Sequence, residues 1–191
     1  VPASSNGKLR VYVPATIAML RELVADREIR AVNDTAFAVT PALRESYASG
    51  DDEELADVAM IEAGRAALRL LAQERETALL SGENADTPDD DAPYSSPVYR
   101  RAVIAADVTG ATLRADLDDA VVRLAAPVTY AQIASVHVDL AEAEPAVAKA
   151  VDVVDAADLG DEDAEFVLGD AEDHQLAWYA AQELSFLLEF L

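Results

Sequence analysis

Leu9-Arg-Val-Tyr-Val-Pro-Ala-Thr16, running on into Ile17-Ala-Met-Leu-Arg-Glu-Leu-Val24, decides how the rest of the chain is read. Leu9 to Val13 alternates and carries β-branched and aromatic side chains, which predicts a strand. Pro14 is expected to end that strand. Thr16 supplies a hydroxyl that can accept a hydrogen bond from the first turn of a helix. Ile17, Leu20, Leu23 and Val24 then recur at helical spacing.

The same punctuation returns further on. Arg10-x3-Pro14-x-Thr16-x-Ala18-x-Leu20 matches Arg123-x3-Pro127-x-Thr129-x-Ala131-x-Ile133. Each copy follows an expected strand and precedes another, so the match predicts two strand–helix–strand halves of one sheet, the ferredoxin-like arrangement. Chance matching in a chain with 40 alanines is the alternative. Further strands are expected at Thr35–Val39, Arg101–Val108, Ala120–Ala125 and Ser135–Asp139, with the third and fourth of these five strands neighbours in the sheet. Helices are expected from Pro41, from an Asp51 cap through Leu55, Val58, Ile61, Leu68 and Leu71, and over Glu142–Ala156. A final helix is expected from Asp170, with Leu176, Ala180, Leu184, Leu187, Leu188 and Leu191 on one face. The fold class is therefore α+β: a small mixed sheet of about five strands, covered by helices.

The chain has 191 residues, enough for one domain with a core of ordinary stability. The expected organisation is a flexible leader at Val1–Lys8, then one α+β domain over residues 9–191. Ser81–Pro97 has no period and is rich in proline and acid, so it reads as a long loop. With no cysteine, disulfides, thiolate metal sites and thiol catalysis are excluded. No apolar run approaches the roughly 18 residues that cross a bilayer. The N-terminus has no apolar signal region, and a cytoplasmic protein is expected.

Net charge is −23, unevenly spread. From Asp139 to Leu191 there are 15 Asp or Glu and one cation, Lys149, which leaves −14 in an acidic region read as helical. Such a field repels nucleic acid and anionic membranes and attracts basic proteins. Asp152, Asp155, Asp158, Asp161, Glu162, Asp163 and Glu165 are the candidate docking carboxylates for a basic protein partner. Solubility alone is the plain alternative, and salt-adapted acidity spread over all faces is another. Phe186 and Phe190 lie off the main stripe of the final helix and could serve a homodimer face.

Catalytic candidates centre on the two histidines. Ser135, His137 and Asp139 share one face of an expected strand, but neighbours two apart lie roughly 6.5–7 Å apart. A Ser–His–Asp relay needs hydrogen-bond reach, and no nucleophile elbow is present; a polar strand surface is the simpler reading. Asp170, His174 and Trp178 fall on one helical face, yet the H-E-x-x-H pattern of a zinc helix is absent. Asp155 to Phe166 fails the calcium-loop test, with Ala157, Leu159 and Phe166 where ligands belong. Neither glycine-rich nucleotide motif occurs, and no cofactor is expected. Arg100 and Arg101 beside Tyr99 are too few for a nucleic-acid patch. The leading expectation is a non-catalytic interaction or regulatory protein. The alternative is an enzyme using His174 or His137 with nearby carboxylates, with a metal ion assisting in one version.

Arg10-Val-Tyr-Val-Pro-Ala-Thr16 with Met19-Leu-Arg-Glu-Leu23 is similar to the start of a family of uncharacterised actinobacterial proteins. Ser135–Asp139, Ala141–Pro145, Asp155–Phe166 and Asp173–Tyr179 carry the likeness through the C-terminal third. The resemblance spans nearly the whole chain after Leu9. It implies no activity and transfers no catalytic residue; Ser81–Pro97 is longer here than the family leads one to expect.

Overall fold

A computed structural model of the protein describes residues 7–83 and 97–191. Residues 1–6 of the expected leader and 84–96 of the expected loop lie outside the described residues. In chain order the elements are β1 (Leu9–Ala15), α1 (Ile17–Asp26), β2 (Glu28–Ile29), β3 (Thr35–Phe37), α2 (Pro41–Ser46), α3 (Asp52–Glu83), β4 (Ala102–Val108) and β5 (Thr112–Leu113). There follow β6 (Val121–Arg123), β7 (Val128–Thr129), β8 (Ile133–Val138), α4 (Glu144–Asp158), α5 (Glu162–Glu172), β9 (Ala177–Tyr179) and α6 (Leu184–Glu189).

The α+β class holds, and the sheet is larger than expected. Seven strands run in the order β5-β6-β3-β1-β4-β8-β9, with β2 and β7 as a separate pair. Every pairing is antiparallel, so the sheet is not mixed. β1 and β3 flank α1 in sequence yet pair antiparallel, which rules out a ferredoxin-like half, where the flanking strands run parallel. β4 and β6 are not neighbours either, because β3 and β1 lie between them.

The apparent repeat comes apart for a local reason. β1 continues through Pro14, which faces Val103 of β4, and ends at Ala15. On its other flank the register with β3 is the single pair Tyr12↔Phe37, so Pro14 interrupts no ladder there. In the second copy the strand stops at Arg123, four residues before Pro127. Thr16 and Thr129 also act differently. The Thr16 hydroxyl accepts from Met19 N at 3.3 Å, whereas Thr129 donates its backbone N–H to Gln132 Oε1 at 2.9 Å. Thr16 opens a ten-residue helix, whereas Thr129 opens only one short 3-10 turn before β8.

Three layers bury the apolar residues. Val11, Val13, Ile104, Val136 and Val138 project from one sheet face onto Ile17, Leu20 and Leu23 of α1 and Leu184 of α6. Tyr12, Phe37, Val103 and Ala105 project from the other onto Leu55, Ala59 and Ala63 of α3. α3 has 32 residues and spans about 48 Å. Asp51 caps it, accepting from Glu54 N at 2.9 Å. Its sheet-facing stripe is carried mainly by alanines, and Ile61, expected inside, is exposed. Its far side receives a third cluster, Leu68 and Leu71 against Val147, Val151 and Val154 of α4 and Leu168 of α5. None of the helices among the described residues is long and apolar enough to cross a membrane.

The expected final helix is divided. α5 ends at Glu172, and Ala177–Tyr179 instead forms the edge strand β9, paired with β8 through His137↔Trp178. Edge pairing satisfies backbone groups of β8 that a helix at Trp178 would leave open. A short 3-10 turn then leads into α6, whose Leu184 is fully buried. Tyr130 anchors this segment: its hydroxyl donates to the Ala181 carbonyl, and the Arg27 guanidinium stacks 3.6 Å over its ring.

Truncating Leu184 to alanine is expected to lower stability by about 2–5 kcal/mol. Urea unfolding checks this. An unchanged midpoint would mean that α6 does not dock on α1 in solution.

Candidate functional site

Both histidines of the chain line one cleft of about 540 Å³. α3 forms one wall with Asp57, Met60, Ile61 and Gly64. β8 contributes His137. Glu172 at the end of α5 and Asp173, His174 and Leu176 of the segment joining α5 to β9 complete the lining, and Arg101 lies at the base. Because α5 ends at Glu172, His174 is not on a helix at all, and the expected helical face Asp170–His174–Trp178 is not formed. Trp178 is instead the cross-strand neighbour of His137, and its side chain is exposed.

The base is built by one buried ion pair. Arg101 precedes β4, Asp139 follows β8, and both are buried, Asp139 completely. Arg101 Nε and Nη2 donate to the two Asp139 carboxylate oxygens at 2.8 Å each. The backbone N–H of Arg101 donates to Oδ2 at 2.8 Å, and the Asp139 N–H returns a bond to the Arg101 carbonyl at 3.1 Å. Nη2 donates a second time, to the His174 carbonyl at 2.8 Å. The carboxylate is thus committed to Arg101. The polar-surface reading of Ser135, His137 and Asp139 is corrected accordingly, since Ser135 and Asp139 are buried.

One guanidinium nitrogen, Nη1, makes no hydrogen bond among the described residues. Gly64 stands beside it on α3. A Cβ added at Gly64 would meet only Arg101 Nη1, at 3.8 Å, with no positive φ to require a glycine. Glycine within a helix costs roughly 0.5–1 kcal/mol relative to alanine. Packing does not explain that cost here; the missing side chain leaves room above the guanidinium.

The Ser135 hydroxyl and His137 Nε2 lie 2.9 Å apart, so two members of the imagined relay do meet. The third does not join them. Burial, and to a smaller degree the charge of Arg10, holds the His137 imidazole below its ordinary range. It is neutral at neutral pH. Arg10 itself is clamped by Asp107 across β1 and β4, at 2.7 and 2.9 Å. Among the described residues no group of three or more His, Asp or Glu is placed to hold a metal ion.

The acidic candidates lie on the α4–α5 hairpin, where α3 divides them. Arg69 takes Asp158 at 2.6 and 2.8 Å, Arg65 takes Glu165 at 2.6 Å, and Arg75 takes Asp152. Arg69, through its hydrogen bond, pulls the Asp158 carboxyl below its usual range. Asp161 caps α5, accepting from Ala164 N at 2.9 Å. Asp155, Glu162 and Asp163 are exposed and have no ion pair among the described residues, and Asp170 is exposed beyond them. Two large apolar side chains stand out between these carboxylates: Leu159 is 90% exposed and Phe166 75%.

The histidines were visible in the sequence as candidates; their convergence was not. Arg101 and Gly64 were missed as site residues. Their signals were an arginine directly before a largely apolar strand and a glycine inside an alanine-rich helix.

Residues 9–188 match the model of a family of unknown function. No curated protein and no solved structure matches the chain.

Replacing Asp139 by alanine leaves Arg101 buried without a counter-charge, and a loss of about 3–5 kcal/mol is expected in chemical unfolding. The paired replacement Arg101→Met with Asp139→Leu is expected to lose less than the single variant. Equal losses would show that hydrogen-bond geometry, not stranded charge, dominates.

His137 also sets a pH response. The unfolded histidine takes its proton near pH 6.5, about its unperturbed value, and the folded one only at lower pH. The unfolded state therefore binds more protons in that interval, and stability falls as pH is lowered through it. Glu62 and Glu74, raised chiefly by burial, give the opposite slope at lower pH, equally in wild type and variant. His137→Gln is expected to show a flatter loss between about pH 6.5 and 5. Superimposable profiles would put the imidazole in solvent.

Proposed function

The chain belongs to the DUF6912 family, a family of unknown function, and from that premise we propose that it is a non-catalytic interaction protein whose α4–α5 hairpin docks a basic partner. One observation supports this above the others. Leu159 and Phe166 are exposed on the same hairpin that carries Asp155, Glu162 and Asp163, which have no ion pair among the described residues. Exposed apolar side chains accompanied by unpaired charge match the composition of a recognition surface, which combines an apolar centre with a polar rim. The partner that fits presents Lys or Arg around an apolar stripe. Asp152, Asp158 and Glu165 hold the hairpin to α3 in this reading, and Asp161 caps it, so the docking set narrows to the remaining carboxylates.

A second reading, an enzyme using His137 or His174 with nearby carboxylates, is favoured by the presence of both histidines in one cleft with Asp57, Glu172 and Asp173. The neutral imidazole of His137 suits a proton acceptor.

Capture from a native lysate at low and high salt tests the first reading. Leu159→Ser with Phe166→Ser is expected to abolish retention of basic proteins at any salt concentration. Asp155→Asn with Glu162→Gln and Asp163→Asn is expected to weaken it mainly at low salt, because exposed charges are screened beyond about 8 Å at physiological ionic strength. The second set should cost at most about 1–2 kcal/mol, since first-turn acids contribute roughly 0.3–1 kcal/mol each. Retention of the same proteins with the same salt profile by both variants would leave the hairpin as a solubility device.

A further inference from the structure

We propose that the cleft between α3, β8 and the α5–β9 segment binds a small organic cation that also carries an oxygen acceptor. Its volume of about 540 Å³ falls within the range of small-molecule sites. Arg101 supplies the polar anchor. Its side chain is 5% exposed and immobilised by Asp139 and the His174 carbonyl, with Nη1 alone left without a hydrogen bond among the described residues. This donor is not sealed from solvent, so an acceptor in the cleft would take the place of the water that otherwise meets it. Gly64 keeps the approach open, since its absent Cβ would stand 3.8 Å from that nitrogen.

Charge selects the other end of the ligand. Asp139 cancels the Arg101 charge within the base, so an anion gains little there. Asp57, Glu172 and Asp173 line the opening without an ion pair among the described residues and leave the cleft negative. His137, kept neutral by burial, adds no repulsion to a cation. No cluster of three or more metal-ligating side chains exists among the described residues, so the carboxylates suit a diffuse organic cation, an ammonium or guanidinium, better than a metal ion. The carbonyl or hydroxyl oxygen of that molecule would accept from Arg101 Nη1, while Met60, Ile61 and Leu176 cover its apolar part.

Titration of the full chain with L-argininamide, followed by amide NMR and calorimetry, tests this. The expected result is saturable binding with shifts concentrated at Gly64, Arg101, His137 and His174. Glutarate, a dianion of similar reach, should not bind. Gly64→Met, which fills the space above Nη1 without backbone strain, is expected to weaken binding at least tenfold with no drop in thermal midpoint. Asp57→Asn should weaken it while leaving the anchor intact. Leu159→Ser with Phe166→Ser should leave argininamide binding untouched, so this inference and hairpin docking stand or fall separately. Unsaturable shifts spread over the acidic surface, equal affinity in Gly64→Met, or competition by glutarate would each overturn the proposal.

Discussion

The Arg101–Asp139 pair is the constraint on which the cleft side of the molecule depends. Two charges out of water carry a desolvation penalty of several kcal/mol each, and only a complete set of partners offsets it. Here the set is nearly complete: a bidentate contact, two reciprocal backbone bonds and the His174 carbonyl. These bonds join the start of β4 to the end of β8 and hold the α5–β9 segment over both. Neighbouring β8 residues then have little freedom. His137 is packed beside Ser135 and opposite Trp178, and the opening they border is shaped by a fixed base rather than by mobile side chains.

α3 is the second organising element, and its faces do different work. Alanines at 59 and 63 allow it to lie close on the sheet, while Arg65, Arg69 and Arg75 turn outward to the α4–α5 hairpin. Such partly exposed ion pairs contribute little stability each. Their effect is on position: they hold a strongly acidic hairpin at a defined register on a helix that would otherwise meet only its apolar side. The carboxylates left over are sorted by the same contact. Asp152, Asp158 and Glu165 are neutralised by arginines of α3, Asp155 lines the groove beside Arg69 and Arg75 without an ion pair among the described residues, and Glu162 and Asp163 are exposed at the start of α5. The uneven charge of the chain thus becomes a surface with a paired side and an unpaired side.

Strand β1, the Thr16 cap on α1, the start of α2 at Pro41 and the Asp51 cap on α3 were all legible, because each rests on interactions within a few residues. The site was legible only as a set of candidate residue types. His137 and His174 stood out by rarity, but their meeting requires β9 to pair with β8, and nothing local marks Ala177–Tyr179 as a strand. Its three residues sit between two helical patterns, and backbone pairing at the sheet edge outweighs the leucine spacing that predicts one continuous helix. Asp139 was misplaced for a related reason: strand periodicity reads it as a polar surface residue beside His137, but the guanidinium of Arg101, the residue just before β4, captures it.

The amino-acid sequence by itself determined the α+β class, the main strands, the starts of α1, α2 and α3 and the concentration of negative charge toward the C-terminus. Periodicity, capping chemistry and net charge are properties of neighbouring residues or of sums, and they survive without a fold. Only the tertiary structure decided strand order, the antiparallel sense of every pairing, the fate of Pro14 within β1, and which carboxylates are paired. Those outcomes depend on contacts between residues far apart in the chain, such as Arg101 with Asp139 and Arg65 with Glu165, whose energies exist only once the backbone has brought them together.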